Sequence, residues 1–223
     1  MRWNLRPALR RLSRLVTPMT LTETQIREYD RRAMDGAETT TATFGIGCFW
    51  GPDARFGAMD GVVRTRVGYA GGTTTDPTYH SIGDHTEVFQ VEFDPDTIPY
   101  RDLLSQVFNS HNPQHQTRKT QYQNIVFAAT EVQRAAIDEF LTTRGLTAEG
   151  IGTRIEQLSR FYPAEDYHQK YTLRSMSSFM DAFEAAGYGD EELRESPIAA
   201  KLNGYAAGHD VAEDLAAPDR GTA

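Results

Sequence analysis

The chain has one cysteine, Cys48, set in Gly47-Cys48-Phe49-Trp50-Gly51. It lies between a strand-like run, Thr41 to Ile46, and a helix start marked by Pro52 and Asp53. A thiol there faces unpaired backbone N–H groups, whose positive field favours thiolate at neutral pH. The expected chemistry is nucleophilic attack by sulfur, with Phe49 and Trp50 walling a small apolar pocket beside it. A buried structural cysteine is the ordinary alternative for a lone thiol. The flanking glycines and the strand-to-helix elbow argue against it, because glycine serves where backbone must approach a ligand closely.

Further segments share the stretch downstream: Val67-Gly68-Tyr69-Ala70-Gly71-Gly72, Pro77-Thr78-Tyr79, His85-Thr86-Glu87-Val88, Gln121-Tyr122, and Phe161-Tyr162-Pro163-Ala164-Glu165-Asp166-Tyr167-His168-Gln169. With the cysteine motif, and in this order, they make the span from Thr43 to Tyr171 similar to the peptide methionine sulfoxide reductases of the A type. The resemblance implies an α/β plait, no cofactor, and reduction of the S epimer of methionine sulfoxide, free or in proteins, as a repair reaction. Sulfoxide sulfur is electrophilic but its oxygen leaves poorly, so thiolate and proton must be supplied together. By resemblance, Cys48 attacks sulfur and Glu87 is the acid, which requires a carboxyl pKa raised by an apolar setting; taken alone, Glu87 reads as a solvated strand-end acid. Tyr79 and Tyr122 match the phenols that hydrogen-bond the sulfoxide oxygen, and Phe49 and Trp50 the aromatic box around the substrate methyl. His85 and His168 are expected to support these groups from behind.

Two departures from the family pattern stand out. The loop before Gln121 usually carries an Asp, whereas no acid occurs here between Asp102 and Glu131, and Thr117, Arg118 or Lys119 is left to fill that space. Many members also place a resolving cysteine in Asn-Gly-Tyr-Cys-Gly; this chain has Asn203-Gly204-Tyr205-Ala206-Ala207-Gly208. Without a second thiol a Cys48 sulfenic acid has no internal partner. An external reductant is then expected: thioredoxin, a glutaredoxin-like protein or a small thiol. The competing readings are a module that binds methionine sulfoxide without turnover and a sensor whose Cys48 merely oxidises.

The elements that must hold these groups alternate. Strands are expected at Thr43 to Ile46, Val62 to Val67, Val88 to Phe93, Ile125 to Ala128 and Thr153 to Leu158. Helices are expected at Glu23 to Ala33 with Thr22 as cap, Pro52 to Met59, after Tyr100, and Glu131 to Leu141, then from Ala164 to Tyr171 and Phe179 to Ala186. This order implies an α+β fold, a two-layer α/β plait with helices on a mixed sheet, followed by an irregular tail. Residues 1–40 are expected to be an N-terminal extension, partly disordered, residues 41–186 the catalytic domain, and residues 187–223 an acidic tail draped loosely on the surface.

Composition narrows the class. With 223 residues, 39% of them hydrophobic, the chain can build one sizeable core. A single cysteine excludes an internal disulfide and a Cys-cluster zinc site, and the histidines show no ligand spacing, so no metal is expected. A net charge of −8 argues against nucleic acid. The five arginines and absent acids of residues 1–22 resemble a targeting segment, an over-long start before Met19, or a disordered extension, while the lack of a long apolar run argues against a membrane span. A cytoplasmic monomer is the expectation. Only Lys119, Lys170 and Lys201 among 23 basic residues are lysine, a bias without evident purpose in the sequence.

Overall fold

The computed structural model describes residues 21–35, 38–211 and 215; the arginine-rich segment before Met19 lies outside them. Helix α1 (Glu23–Met34) starts at Thr22 as expected, whose hydroxyl accepts from the Gln25 N–H while the Gln25 side chain accepts from the Thr22 N–H. Strands β1 (Thr40–Ile46), β2 (Val62–Ala70), β3 (Thr86–Phe93), β4 (Asn124–Ala128), β5 (Arg154–Gln157) and β6 (Phe161–Pro163) form one sheet ordered β5-β4-β1-β3-β2-β6. Among the described residues only β4 and β5 pair in parallel, which makes the sheet mixed.

One face of the sheet carries Phe44, Phe89 and Val91, with Phe44 opposite Phe89 in register. Phe56 of α2 (Trp50–Gly57), Leu104 of α3 (Tyr100–Asn109) and Ile137 of α4 (Glu131–Thr143) close over it. A smaller cluster on Ala70, Val88, Ile125 and Phe127 packs with Phe161. The expected α+β architecture is thus present, element by element, through residue 158.

Two expectations are corrected further along. The stretch from Ala164 to Tyr171 is not a helix: Phe161–Pro163 pairs with Gly68–Ala70, and only a short 3-10 turn follows at Asp166–His168. Lys170 has φ +54, and Gln169 folds its amide onto Val67, accepting its N–H at 3.0 Å and donating to its carbonyl at 2.9 Å. The side chain does what a strand neighbour would do, so the backbone has no need of helix.

The described residues from 188 to 211 are not loosely draped. After α5 (Ser177–Ala185), helices α6 (Asp190–Glu195) and α7 (Pro197–Ala206) join α1 in a second core of Ile26, Phe179, Phe183, Leu193, Ile198 and Leu202. The approach of α7 to α2 rests on small residues. A Cβ on Gly204 would stand 2.7 Å from the Ala54 carbonyl oxygen, and one on Gly57 only 2.5 Å from that of Ala200, so α7 and α2 touch backbone to backbone. From residue 212 the described chain is Leu215 alone.

Candidate active site

Strand β1 delivers Cys48 at its end and α2 begins two residues later. Gly47 makes the elbow with φ +82, and a Cβ on Gly51 would meet nothing within 4 Å, leaving the mouth of the elbow open. Cys48 is exposed, whereas Phe49 behind it is 1% exposed.

Glu87 stands next to the nucleophile. It is 1% exposed; its Oε2 accepts the backbone N–H of Phe49 at 3.2 Å, and its Oε1 accepts from Gln121 Nε2 at 2.6 Å. Burial raises its pKa above the ordinary carboxylate value, while Gln121, the Phe49 N–H and the Lys119 charge act the other way. A buried acid inclined to keep its proton matches the expected role. The Cys48 thiol departs from expectation: burial pushes its pKa up, the Trp50 N–H opposes this, and the Glu87 charge adds to the rise. The helix field is present, but the neighbouring carboxylate and lost hydration outweigh it. A protonated Glu87 removes the electrostatic part of that penalty, so the acid form of one group favours the base form of the other.

Tyr122 hydrogen-bonds Tyr79, and its phenol is pushed up to about 12 by burial first, then by that bond and the charges of Glu87 and Cys48. The Tyr122 phenol therefore stays protonated and able to donate. Tyr79 is set by its own N–H, which donates to Glu165 Oε1 at 2.8 Å, while Glu165 Oε2 accepts from the Tyr69 hydroxyl at 2.8 Å. Burial works to raise Glu165, but the Tyr79 N–H, its own backbone N–H, the Tyr69 hydroxyl and His168 lower it on balance.

His168 sits behind the aromatic wall, its ring centroid 5.2 Å from Phe49, 5.7 Å from Trp50 and 4.7 Å from Tyr79. Its Nδ1 accepts from Trp50 Nε1 at 3.2 Å, and burial, opposed by Glu165, lowers its pKa, so it serves as a neutral acceptor that orients the indole. Trp50 also stacks on Tyr171, with ring centroids 3.7 Å apart and planes at 6°. His85 stands apart from this group. Its Nδ1 accepts the Gly72 N–H at 3.2 Å and its Nε2 bonds the Thr74 carbonyl at 2.7 Å, fastening the loop after β2.

The fold thus gathers Cys48, Phe49, Trp50, Tyr79, Glu87, Tyr122 and His168, and gives His85 a loop-holding position. Sequence reasoning assigned no role to Gln121, Glu165 or Tyr171, although all three lie inside or beside the quoted motifs; the signal was there without a partner to attach it to. Two concavities, of about 490 and 550 Å³, open beside α3 and α4 and contain none of these residues.

A family model described as peptide methionine sulfoxide reductase matches residues 40–195. The chain belongs to this family. A peptide methionine sulfoxide reductase of Drosophila melanogaster is 42% identical over 171 residues, covering 75% of this chain and 68% of its own length. One from Methanothermobacter thermautotrophicus is 42% identical over 142 residues, covering 58% of this chain and 84% of its own. Among solved structures, methionine sulfoxide reductase A of Corynebacterium diphtheriae superposes with a TM-score of 0.54 at 30% identity, over 65% of this chain and 78% of that one. Reduced Mxr1 of Saccharomyces cerevisiae gives 0.53 at 28% identity, over 64% and 88%. The family span ends before α7 and begins after α1, so both helices that build the second core from the chain's outer regions lie beyond the matched residues.

Proposed function

We propose that this member of the family reduces the S epimer of methionine sulfoxide, free or in proteins, with Cys48 as nucleophile and Glu87 as proton donor. The observation that carries the assignment is the bond from the Phe49 N–H to Glu87, which couples a buried acid to the residue after the thiol. Thiolate sulfur attacks the sulfoxide sulfur while Glu87 protonates the oxygen, and Tyr79 and Tyr122 donate to that oxygen as charge gathers on it. Phe49 and Trp50 receive the methyl group and so select the epimer. Methionine leaves, and Cys48 is left as sulfenic acid.

Recycling belongs to an external reductant, since Cys48 is the chain's only thiol. One thiol forms a mixed disulfide with release of water, and a second thiol exchanges it to restore Cys48. Thioredoxin, a glutaredoxin-like protein or a small thiol fits this role, and a monomer acting in the reducing cytoplasm is the simplest setting for it.

Cys48→Ser tests the assignment. It is expected to abolish methionine formation from one equivalent of sulfoxide with unchanged circular dichroism, and a variant keeping more than a trace of single-turnover activity would remove the central claim. Wild type should form one methionine per Cys48 without added thiol and continue only with it; formation without continuation favours the sensor, and neither favours the binding module.

A further inference from the structure

The scarcity of lysine becomes meaningful once the three are located. Lys170 is fully buried, its Nζ donating to the Thr65 carbonyl at 2.6 Å and standing 3.7 Å from Asp53 Oδ1. Lys201 is 5% exposed, with its ammonium on the Met59 carbonyl. Lys119 alone is exposed, and it lies at the active site. It is the N-cap of the short 3-10 turn Thr120–Tyr122, whose Gln121 holds Glu87 and whose Tyr122 meets Tyr79. Its ammonium is 4.4 Å from the centroid of the Tyr122 ring. One turn therefore supplies a cation, the amide that grips the acid and a phenol, in the loop where the family usually carries an acid.

We propose that Lys119 is a positioning residue for the reduction step, acting through Glu87 and Tyr122 by keeping positive charge on the side of the site where negative charge accumulates. At the start the charge is on the Cys48 thiolate and Glu87 holds a proton. The Cys48 sulfur bonds to the sulfoxide sulfur, the oxygen takes the Glu87 proton, the S–O bond breaks, and the hydroxyl ends on Cys48. Substrate sulfur is reduced to a thioether by two electrons, Cys48 sulfur is oxidised to sulfenic acid, and one negative charge has moved from Cys48 to Glu87. A cation that favours the end of this transfer over its beginning lowers the barrier.

The surroundings of Glu87 make Lys119 the source of that bias. Facing the carboxyl are Cys48 and the Phe49 N–H from the elbow, Tyr69 from β2, and Gln121 and Tyr122 from the turn; Lys119 supplies the positive charge that stabilises the carboxylate. The thiol answers instead to burial, the Trp50 N–H and Glu87. Exposure leaves the ammonium open to screening by salt.

Single-turnover methionine formation should be measured for wild type, Lys119→Met and Lys119→Arg from pH 5 to 9, at low and high ionic strength. Lys119→Met is expected to slow the step about fivefold at low salt, Lys119→Arg less than about twofold, and salt should slow wild type toward Lys119→Met while leaving the latter unchanged. In parallel, the infrared carboxyl band of Glu87 in a Cys48→Ser background should titrate at higher pH when Lys119→Met is added. Unchanged rates with an unshifted titration overturn the proposal at Lys119 itself. Unchanged rates with a shifted titration overturn it by removing Glu87 from the reaction.

Discussion

Glu87→Gln keeps the bulk of the side chain and an oxygen for one donor, but removes the proton that the sulfoxide oxygen must receive. The reduction step is expected to slow by about 10²-fold or more, the ordinary worth of general acid catalysis. Its pH dependence should change shape as well. Wild-type activity needs Glu87 protonated and Cys48 ionised, so the rate rises with pH below both values and falls above both. The resulting bell belongs to the pair rather than to either residue. In the Gln variant the falling limb should vanish, and single-turnover rates from pH 5 to 9 show whether it does; an intact bell would mean another donor. At this scale the identities of the reacting groups were legible from the motifs, whereas the state of the thiol was not. The helix field at Cys48 is local and readable; burial overrules it, and the Glu87 charge that adds to the rise comes from a residue 39 positions away, which only folding brings there.

Among the elements, α7 departs most from what its composition suggested. Its apolar run, Ile198, Ala199, Ala200 and Leu202, stands inside a stretch that is acidic as a whole from Gly187 onward, and that average reads as surface. Contact at Gly57 and Gly204 is made by backbone, so no bulky side chain announces it. The strands β1 to β4 were legible for the opposite reason: β-branched and aromatic runs bury both faces and end at turn residues. The stretch around Gln169 was misread because a side-chain amide standing in for a strand has no periodic signature. The fixed position of α7 makes a sharp expectation for Ala206→Cys. Asn203 is fully buried, its Oδ1 accepting the N–H groups of Thr172 and Leu173, and Gly204 is buried beside α2, so the helix is held shortly before Ala206. After one equivalent of methionine sulfoxide the variant should still carry Cys48 as sulfenic acid, seen as a gain of about 16 Da or a dimedone adduct. An intramolecular disulfide instead would mean that residue 206 comes within reach of Cys48 and can serve as a resolving arm.

For the whole molecule, the junction between the second core and the sheet runs through charge. Glu195 at the end of α6 binds Arg66, Arg64 stands 3.5 Å from Glu195 and 2.7 Å from Glu92, and Glu92 also bonds Arg66 at 3.2 Å. Burial works to raise the Glu195 pKa, yet the arginines bring it down from 4.5 to about 2. Its folded value is depressed, so the stabilisation is complete above about 4.5 and is lost as pH falls through about 2. Glu195→Gln is therefore expected to lower the midpoint of denaturant unfolding at pH 7 and to reduce the loss of stability between those two values. A variant with the wild-type midpoint and slope would show that the junction holds without its ions.

The bond from Asn203 Nδ2 to Asp53 Oδ2, at 2.9 Å, has a consequence in the order of synthesis. Asp53 lies on the first turns of the nucleophile's helix, and the last of its partners, after Thr65 and Lys170, is made 150 residues later. Domains form from the N-terminal end as the chain emerges, so the sheet strands and Cys48 leave the ribosome long before α7 can seat against α2. Throughout that interval the nascent chain exposes a thiol on a helix that lacks its last buttress. Reductase geometry is thus a late event in biogenesis, reached only once Asn203 has been made.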